Sequence, residues 1–299
     1  MDKFQAIQVF VKVADCQSFA GAAREMGMSP PAVTRSVSML EEALGTRLFV
    51  RTTRVTRLTD SGRRFLADSK RILADLQEAE AAAIGSHAEP QGELRITAPV
   101  LFGRMYVTPI LGEFLNLYPR VQANTLYLDR NVSLIDEAID VAIRIGELAD
   151  SSLTAIRCGS VRPVMFGAPD YFENHGIPDH PDELLRHVLV QSTAVAVSNE
   201  WMFSENGKRR TIRIEPRIRM NTNDAVIEMV VRGWGLSRLF SYQVAPLLAG
   251  GSLQTILEAF ELPPLPIHVV HQEGRMVSAR TRKFVDFIVE RLRADIHLN

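Results

Sequence analysis

Hydrophobic positions in the first 45 residues recur at helical spacing in three stretches separated by short polar segments. Residues 2–14 place an apolar side chain every three or four positions, which predicts one helix with a buried stripe. Residues 19–26 predict a second helix, because Ser18 is a favourable N-cap and Gly27 readily takes the left-handed conformation that ends helices. Its small residues, Ala22 and Ala23, allow another helix to approach closely.

The third helix is predicted to begin at Pro30 with Ser29 as its N-cap, because a proline at the first helical position loses no hydrogen bond. Its buried row is Val33, Val37, Leu40 and Leu44, and its opposite face carries Pro31, Thr34, Arg35 and Ser38. Two short helices joined by a tight turn predict a helix-turn-helix, whose second helix enters the DNA major groove. Taken alone, the pattern also fits an ordinary helical bundle with a solvated face.

A basic segment rich in threonine follows the third helix. Residues 46–50 alternate between polar and apolar side chains, which predicts a strand. Four cations are spread along this segment: Arg47, Arg51, Arg54 and Arg57. Cationic side chains on a two-stranded wing suit phosphate contact or insertion into the minor groove. The sequence therefore predicts a winged helix-turn-helix over residues 1–58.

A long helix is predicted to open near Thr59 and to run to about Ile84. Its apolar or small positions step by four and three, and they are Phe65, Ser69, Ile72, Leu76, Ala79 and Ala83. Such a seam needs a partner helix, so we interpret residues 59–91 as a dimerisation helix followed by a polar hinge. Packing of the seam onto its own chain is the alternative.

Residues 92–299 alternate between short strand-like and longer helical patterns. Strands are predicted over 93–98, 121–128 and 141–145, and helices over 107–117 and 134–138. Further strands and helices are predicted over 164–167, 188–190, 218–220, 225–231, 236–239, 267–271 and 279–293. This alternation favours a largely parallel sheet with helices on both faces. We predict one lobe from 92–163 and 266–299 and another from 164–265, with crossovers near Arg162 and Pro266.

Ligands of open α/β sheets bind beyond the carboxyl ends of the strands. That rule predicts a small-molecule site from the following residues: Pro99, Val100, Leu101, Phe102, Leu128, Asp129, Arg144, Ser192, Thr193, Thr222 and Asn223. Arg144 is a candidate partner for an anionic ligand. A structural ion pair of Arg144 with Asp129 or Asp140 is the open alternative.

Charge is distributed unevenly along the chain. The formal net charge is −1, yet residues 1–64 carry ten Lys and Arg against six Asp and Glu, while the rest is net acidic. A positive head on an acidic body is typical of a modular DNA-binding protein. Hydrophobic residues make up 46% of the chain, and no apolar run has the length of a membrane span or the layout of a signal peptide. We therefore expect a cytoplasmic protein without membrane partners.

Enzymatic motifs are absent from the sequence. The chain has no Gly-x-Ser-x-Gly, Walker-type, His-Glu-x-x-His or Gly-x-Gly-x-x-Gly pattern, and we expect no cofactor, metal or catalytic residue. His268 and His271 are predicted on opposite faces of a strand, which excludes shared metal ligation. Three histidines in proline-bearing sequence are expected to be solvated, namely His175, His180 and His187. Cys16 and Cys158 fall in different predicted domains, which gives no disulfide or redox pair.

The sequence resembles the LysR-type transcriptional regulators. The resemblance rests on residues 10–24 (FVKVADCQSFAGAAR), 28–35 (MSPPAVTR), 40–49 (LEEALGTRLF), 51–52 (RT) and 58–62 (LTDSG), in matching order and spacing, and it continues over essentially the whole chain. It implies double-stranded DNA as a partner and these contact residues: Ser18, Phe19, Ser29, Pro30, Pro31, Thr34, Arg35, Ser38, Arg51, Arg54 and Arg57.

The resemblance further implies a mixed fold, with an all-α winged helix-turn-helix, a long linker helix and a two-lobed α/β effector domain shaped like a periplasmic binding protein. Such regulators form homodimers or dimers of dimers, and a small metabolite between the lobes changes the placement of the DNA-binding heads. RNA polymerase is a further partner to consider. The family's usual Ser or Thr after the first strand is replaced here by Pro99-Val100. This departure weighs against a carboxylate-type effector.

Overall fold

A computed structural model describes residues 2–51, 56–83, 89–130, 132–134, 136–148, 153–195, 198–272 and 278–298. The chain divides into two compact units, residues 1–93 and residues 94–299. The first unit contains α1 (Lys3–Cys16), α2 (Phe19–Glu25), α3 (Pro30–Leu44), β1 (Phe49–Arg51), β2 (Thr56–Leu58) and α4 (Asp60–Ala83). The three predicted short helices and the long helix are all present.

Local capping fixes the ends of α2 and α3. The Ser18 hydroxyl accepts a hydrogen bond from the Gly21 backbone N–H at 3.1 Å, and the Ser29 hydroxyl accepts one from Ala32 at 3.4 Å. Gly45, with a φ of 65°, ends α3 in the left-handed conformation that other residues adopt at a cost. Both predicted N-caps are confirmed. Val33, Val37 and Leu40 of the predicted buried row are buried, whereas Leu44 is only partly buried. The core of this unit also includes Val9, Phe10, Val13, Ala22 and Ala23.

The strand predicted over residues 46–50 begins only at Phe49. Glu41, a buried carboxylate of α3, accepts hydrogen bonds from the backbone N–H groups of Leu48 at 2.8 Å and Phe49 at 3.1 Å. These contacts hold the chain against α3 before it enters the hairpin. In that hairpin β1 and β2 are antiparallel, with Val50 opposite Arg57.

The long helix α4 opens at the predicted position, because the Thr59 hydroxyl accepts a hydrogen bond from the Gly62 N–H at 2.9 Å. The two halves of its predicted seam differ in their exposure to solvent. Phe65 packs on the core of the first unit and Ser69 is buried, as the same-chain alternative requires. Further along, Ile72 is 49% exposed and Leu76 is 37% exposed. The exposed part of the seam therefore begins after Ser69.

The second unit begins with a set of strands and helices that share one core. They are β3 (Gly92–Ala98), α5 (Val100–Phe102), a π-helical turn (Gly103–Val107), α6 (Thr108–Leu117), β4 (Val121–Tyr127), β5 (Val141–Ile145) and β6 (Leu153–Val161). The helix expected to start at Val107 thus starts at Val100. The helix predicted at 134–138 is wrong: the described residues there form a turn that Ala138 ends with a φ of 51°.

A second set follows, with smaller sheets. It comprises β7 (Pro163–Gly167), α7 (Pro169–His175), a 3-10 helix (Pro181–Arg186), β8 (Val190–Ser192), β9 (Glu200–Glu205), β10 (Lys208–Arg213), β11 (Ile218–Met220), α8 (Asn223–Val231), β12 (Ser237–Phe240), α9 (Ser241–Ala249), β13 (Gln254–Ile256) and a 3-10 turn (Glu258–Phe260). The chain then returns as β14 (Leu265–Gln272) and α10 (Ala279–Ala294).

The sheets divide the second unit at the positions where the chain crosses over. The five-stranded sheet has the order β4-β3-β5-β14-β6, while β12-β7-β13, β11-β8 and β10-β9 form separate sheets. Strand β14 is antiparallel to both β5 and β6, so the largely parallel sheet that we predicted is wrong at this strand. The chain leaves the large sheet after β6 and returns at β14, close to Arg162 and Pro266. The numerical limits of domains and lobes stay predictions.

Candidate DNA-binding surface and ligand cavity

The N-terminal half of α3 presents a polar face away from its buried row. Ser29, Pro30, Pro31 and Arg35 are exposed, and Thr34 is half-buried. The Thr34 hydroxyl donates a hydrogen bond to the Pro30 carbonyl at 3.0 Å, which orients its methyl group and oxygen along the helix. Arg35 is therefore the cation on this face, held on a helix whose other side is packed.

Some of the other predicted DNA contacts cap a helix or pack in the fold of the first unit. Others have side chains outside the described parts of the chain. Ser18 caps α2, and the ring of Phe19 packs edge-on against Phe49 with 5.5 Å between centroids. Ser38 is half-buried on α3. On the hairpin, Arg57 is exposed, the Arg51 side chain lies outside the described parts, and Arg54 falls outside the described residues.

The predicted ligand residues after β3 contribute mostly to packing. Leu101 and Phe102 are buried in the core around the large sheet. The Val100 N–H donates a hydrogen bond to the Asp129 carboxylate at 3.1 Å, and burial raises the pKa of that carboxyl group. The Leu128 N–H donates to the Ala98 carbonyl at 2.9 Å. These contacts hold the start of α5 against the end of β4.

Arg144 makes neither of the ion pairs that we considered. Its guanidinium donates a hydrogen bond to the Val132 carbonyl at 2.9 Å, and the Asp140 carboxylate accepts from the Arg95 N–H at 2.7 Å. Within the described parts of the chain, no contact joins Arg144 to Asp129 or Asp140. The alternative of a structural ion pair is therefore wrong for these partners, and burial lowers the pKa of Arg144.

Two predicted ligand residues line a cavity of about 650 Å³ in the second unit. The Ser192 hydroxyl donates a hydrogen bond to the Asn223 side-chain oxygen at 2.6 Å, which joins the end of β8 to the start of α8. Thr193 binds the Met220 carbonyl at 3.2 Å, and Thr222 is exposed. The other nine predicted residues are absent from the cavity lining: Pro99, Val100, Leu101, Phe102, Leu128, Asp129, Arg144, Thr193 and Thr222.

Sequence reasoning missed most of the residues that form this cavity. Gln191, Trp201, Arg238 and Gln243 line it, together with apolar residues near both crossovers. One signal was available: Arg238 is a lone cation inside the otherwise strand-like stretch 236–240, between the buried residues Ser237 and Leu239. A cation that is partly buried in a strand requires a hydrogen-bond partner or a counter-charge.

Of the histidines expected to be solvated, His175 is exposed, whereas His180 and His187 are half-buried, and each of the three contacts another side chain. His175 stacks on the Tyr171 ring with 4.2 Å between centroids, and His187 contacts the Tyr171 hydroxyl at 3.2 Å. His180 contacts the Glu205 carboxylate at 3.1 Å. Burial raises the pKa of the Cys158 thiol to about 11, so this cysteine is an unreactive core residue. Across the described ranges, no three His, Cys, Asp or Glu side chains are grouped as a metal site requires.

A winged helix-turn-helix followed by a two-part α/β body with a ligand-sized cavity defines a ligand-responsive DNA-binding protein. Residues 4–63 match the family model described as bacterial regulatory helix-turn-helix protein, lysR family, and residues 87–293 match the LysR substrate binding domain. The chain belongs to the LysR family of DNA-binding transcriptional regulators and is not an enzyme. Of the helices that the structure describes, none has the length and apolar character to cross a membrane.

Relatives match along nearly the whole chain. An HTH-type transcriptional regulator of Xanthomonas campestris pv. campestris is 35% identical over 291 residues, covering 96% of this chain and 85% of the relative. The regulator CrgA of Neisseria meningitidis serogroup C is 30% identical, covering 96% of both chains. The solved CrgA structure has a TM-score of 0.62 at 29% identity and covers 96% and 98%. Full-length AphB of Vibrio cholerae, at 23% identity and a TM-score of 0.61, is similar in fold.

Proposed function

We propose that this regulator reads its operator with the polar face of α3. The observation that carries the proposal is the exposure of Pro30, Pro31 and Arg35 on a helix whose opposite face is fully packed. Arg35 is suited to guanine edges or phosphate, Pro31 to a thymine methyl group, and Thr34 and Ser38 to base or phosphate. Ser18, Phe19, Ser29 and Pro30 border this face, and Arg51, Arg54 and Arg57 contact phosphate or the minor groove.

The regulator acts as a symmetric homodimer or tetramer joined through α4. Support comes from Ile72 and Leu76, which are exposed apolar side chains four residues apart on one helix. A helix with such a row buries it against a second copy of itself. Two heads then engage two related half-sites, which doubles the phosphate contacts and sets the symmetry of the operator.

A small-molecule effector between the two lobes controls this binding. Ser192 and Asn223 support the proposal, since both line the cavity in the second unit. The other predicted contacts are Pro99 to Phe102, Leu128, Asp129, Arg144, Thr193 and Thr222; they lie outside the lining of this cavity and stay predictions. A ligand shifts the regulator between states only by binding one of them better. RNA polymerase is the macromolecule that such a change would affect at an activated promoter.

The test is selection of duplexes from a random DNA library with the full chain, followed by gel shift at low salt with the selected duplex and with the DNA upstream of its own gene. We expect enrichment of a motif with two symmetric halves and a slower-moving complex that weakens steeply as salt rises. Absence of both enrichment and complex at low salt would contradict the proposal. Enrichment of a single unrepeated site would contradict the symmetric arrangement alone.

A further inference from the structure

The cavity of about 650 Å³ lies where three parts of the second unit meet. One wall comes from the hairpin β9–β10, and another comes from β12 and the start of α9. The third comes from the two crossovers, at Pro163 and at residues 262–265. Pockets for small organic ligands have volumes of about 300–1,000 Å³. A molecule in this cavity would therefore touch the hairpin and both crossovers at once.

Arg238 supplies a fixed cation to the cavity. Its guanidinium donates a hydrogen bond to the Met202 carbonyl at 2.7 Å and lies 5.6 Å from the centre of the Trp201 ring. Burial lowers the pKa of Arg238 to about 10, so the side chain stays charged at neutral pH. Among the described residues no carboxylate forms an ion pair with it. A partly buried charge of this kind is stabilised when an anion arrives.

The other charged side chains on the cavity cancel one another. Glu147 and Glu200 are exposed acids, and Lys208 and Arg209 are exposed bases. Arg238 therefore leaves the lining with one net positive charge. A phosphate ester, which carries close to two negative charges, matches one net cation poorly. A carboxylate carries one charge and fits the planar fork of a guanidinium with two parallel hydrogen bonds.

The rest of the lining is largely apolar, with Trp201, Leu239, Phe240 and Leu262 on the walls. We infer that this cavity binds a small organic monocarboxylate with an apolar or aromatic body, with the carboxylate against Arg238 and the body against Trp201 and Phe240. Pro99 and Val100, by contrast, remove the polar group that would bind a carboxylate after β3. The inference rests on the proposed function only in that it names this ligand as the effector.

The two tryptophans of the chain allow binding to be observed directly. Trp201 is 6% exposed in the cavity wall, whereas Trp234 is 44% exposed and lies under Arg217, outside the lining. The full chain with Trp234→Phe reports on Trp201 alone. We would titrate it with benzoate, phenylacetate and hexanoate, each paired with its own primary amide. At least one acid should change the Trp201 fluorescence saturably, and its amide should bind at least about ten-fold more weakly.

Arg238→Gln should weaken the binding of that acid by about 10- to 100-fold, the usual range for a lost charge-assisted hydrogen bond. Arg217→Gln is the matched control, because Arg217 lies over Trp234 at 5.1 Å in the same kind of stack but away from the cavity. The control should bind the acid as before. The inference would be overturned if no acid bound, if the amide bound as tightly as the acid, or if Arg238→Gln bound the acid with unchanged affinity. If Arg238→Gln does not fold, the inference is tested by comparing the binding of the acid and of its amide to the protein that keeps Arg238.

Operator binding, measured on the same protein by fluorescence anisotropy, separates this inference from the proposed function. Carboxylate binding without operator binding would contradict the proposed function and leave the cavity assignment standing. Operator binding without carboxylate binding would overturn the cavity assignment alone. When both occur, the acid should change operator affinity, and an unchanged affinity would contradict its role as the effector.

Discussion

The polar face of α3 and the cavity beside Arg238 are built from very different lengths of chain. The first is a single stretch, residues 29–38, whose ends are set by a serine cap and whose packed side is one row of apolar residues. The second draws residues from positions between 147 and 265 and depends on a hairpin, two crossovers and a partly buried arginine. The polar face of α3 therefore depends on local structure, while the cavity exists only once the second unit has folded.

Two polar contacts, one in each unit, differ in their exposure to water. In the first unit Glu41 is only 4% exposed, and it binds two backbone N–H groups. In the second unit Arg104 of the π-helical turn pairs with Asp224 of α8 at 3.0 Å, and both side chains are largely exposed. Polar contacts are worth most where water cannot replace them. Substitution of Glu41 is therefore expected to have a large effect on local stability, and substitution of Arg104 or Asp224 a small one.

The largest effect is expected at the exposed part of the α4 seam, where we propose that a second copy of the chain packs. Ile72→Asp combined with Leu76→Asp should lower the mass measured by light scattering, because carboxylates buried in an apolar interface cost several kcal/mol. The control is Ile177→Asp with Leu185→Asp, which changes the same number of exposed apolar residues in the second unit, where they are 48% and 61% exposed. An unchanged mass in the α4 variant, or an equal drop in the control, would refute the assignment of the interface.

The next effect concerns Glu41. Glu41→Ala should lower the local free energy of opening around residues 48–49 by about 3 kcal/mol, because two buried N–H groups lose their acceptor. Hydrogen exchange of the peptide containing residues 45–51, followed by mass spectrometry of the full chain, measures this. The exposed neighbour supplies the control, and Glu42→Ala should stay within about 0.5 kcal/mol. Similar exchange rates in the two variants would show that the buried carboxylate does not hold the hairpin.

The smallest effect concerns Arg104 and Asp224. A double-mutant cycle with Arg104→Gln and Asp224→Asn, followed by thermal unfolding of the full chain, should give a coupling of about 0.2–1 kcal/mol. The coupling should shrink at high salt, as expected for an exposed pair. A coupling above about 2 kcal/mol, beyond the range of exposed ion pairs, would mean that this pair is held as firmly as a buried one.

The elements of the first unit were predictable because their signals are local. Ser18 and Ser29 cap the helices that their positions indicated, and Gly45 ends α3. The alternation at residues 46–50 was misleading for residues 46–48, because the Glu41 carboxylate binds the Leu48 N–H and the strand begins only at Phe49. Long-range contacts of this kind leave no mark in a short sequence window.

The cavity was not predictable because its hairpin was missed and its strands come from distant positions. The turn at Asn206-Gly207, with φ of 52° and 74°, is the dipeptide that favours tight hairpins, and it was an unused signal. The antiparallel course of β14 follows from the return of the chain through the second set of sheets, which periodicity does not reveal. Strand β6, which spans nine residues, and helices α7 and α9, which span seven and nine, were also missed.

The central claim is that α3 reads DNA through Arg35, and one comparison of affinities tests it most directly. Fluorescence anisotropy would measure Arg35→Ala, together with the exposed control Arg186→Ala of the second unit, on the selected operator and on a scrambled duplex. We expect Arg35→Ala to lose about 1–3 kcal/mol on the operator and clearly less on the scrambled duplex, with the control unchanged. Equal operator affinity of Arg35→Ala and the unaltered chain would contradict the claim.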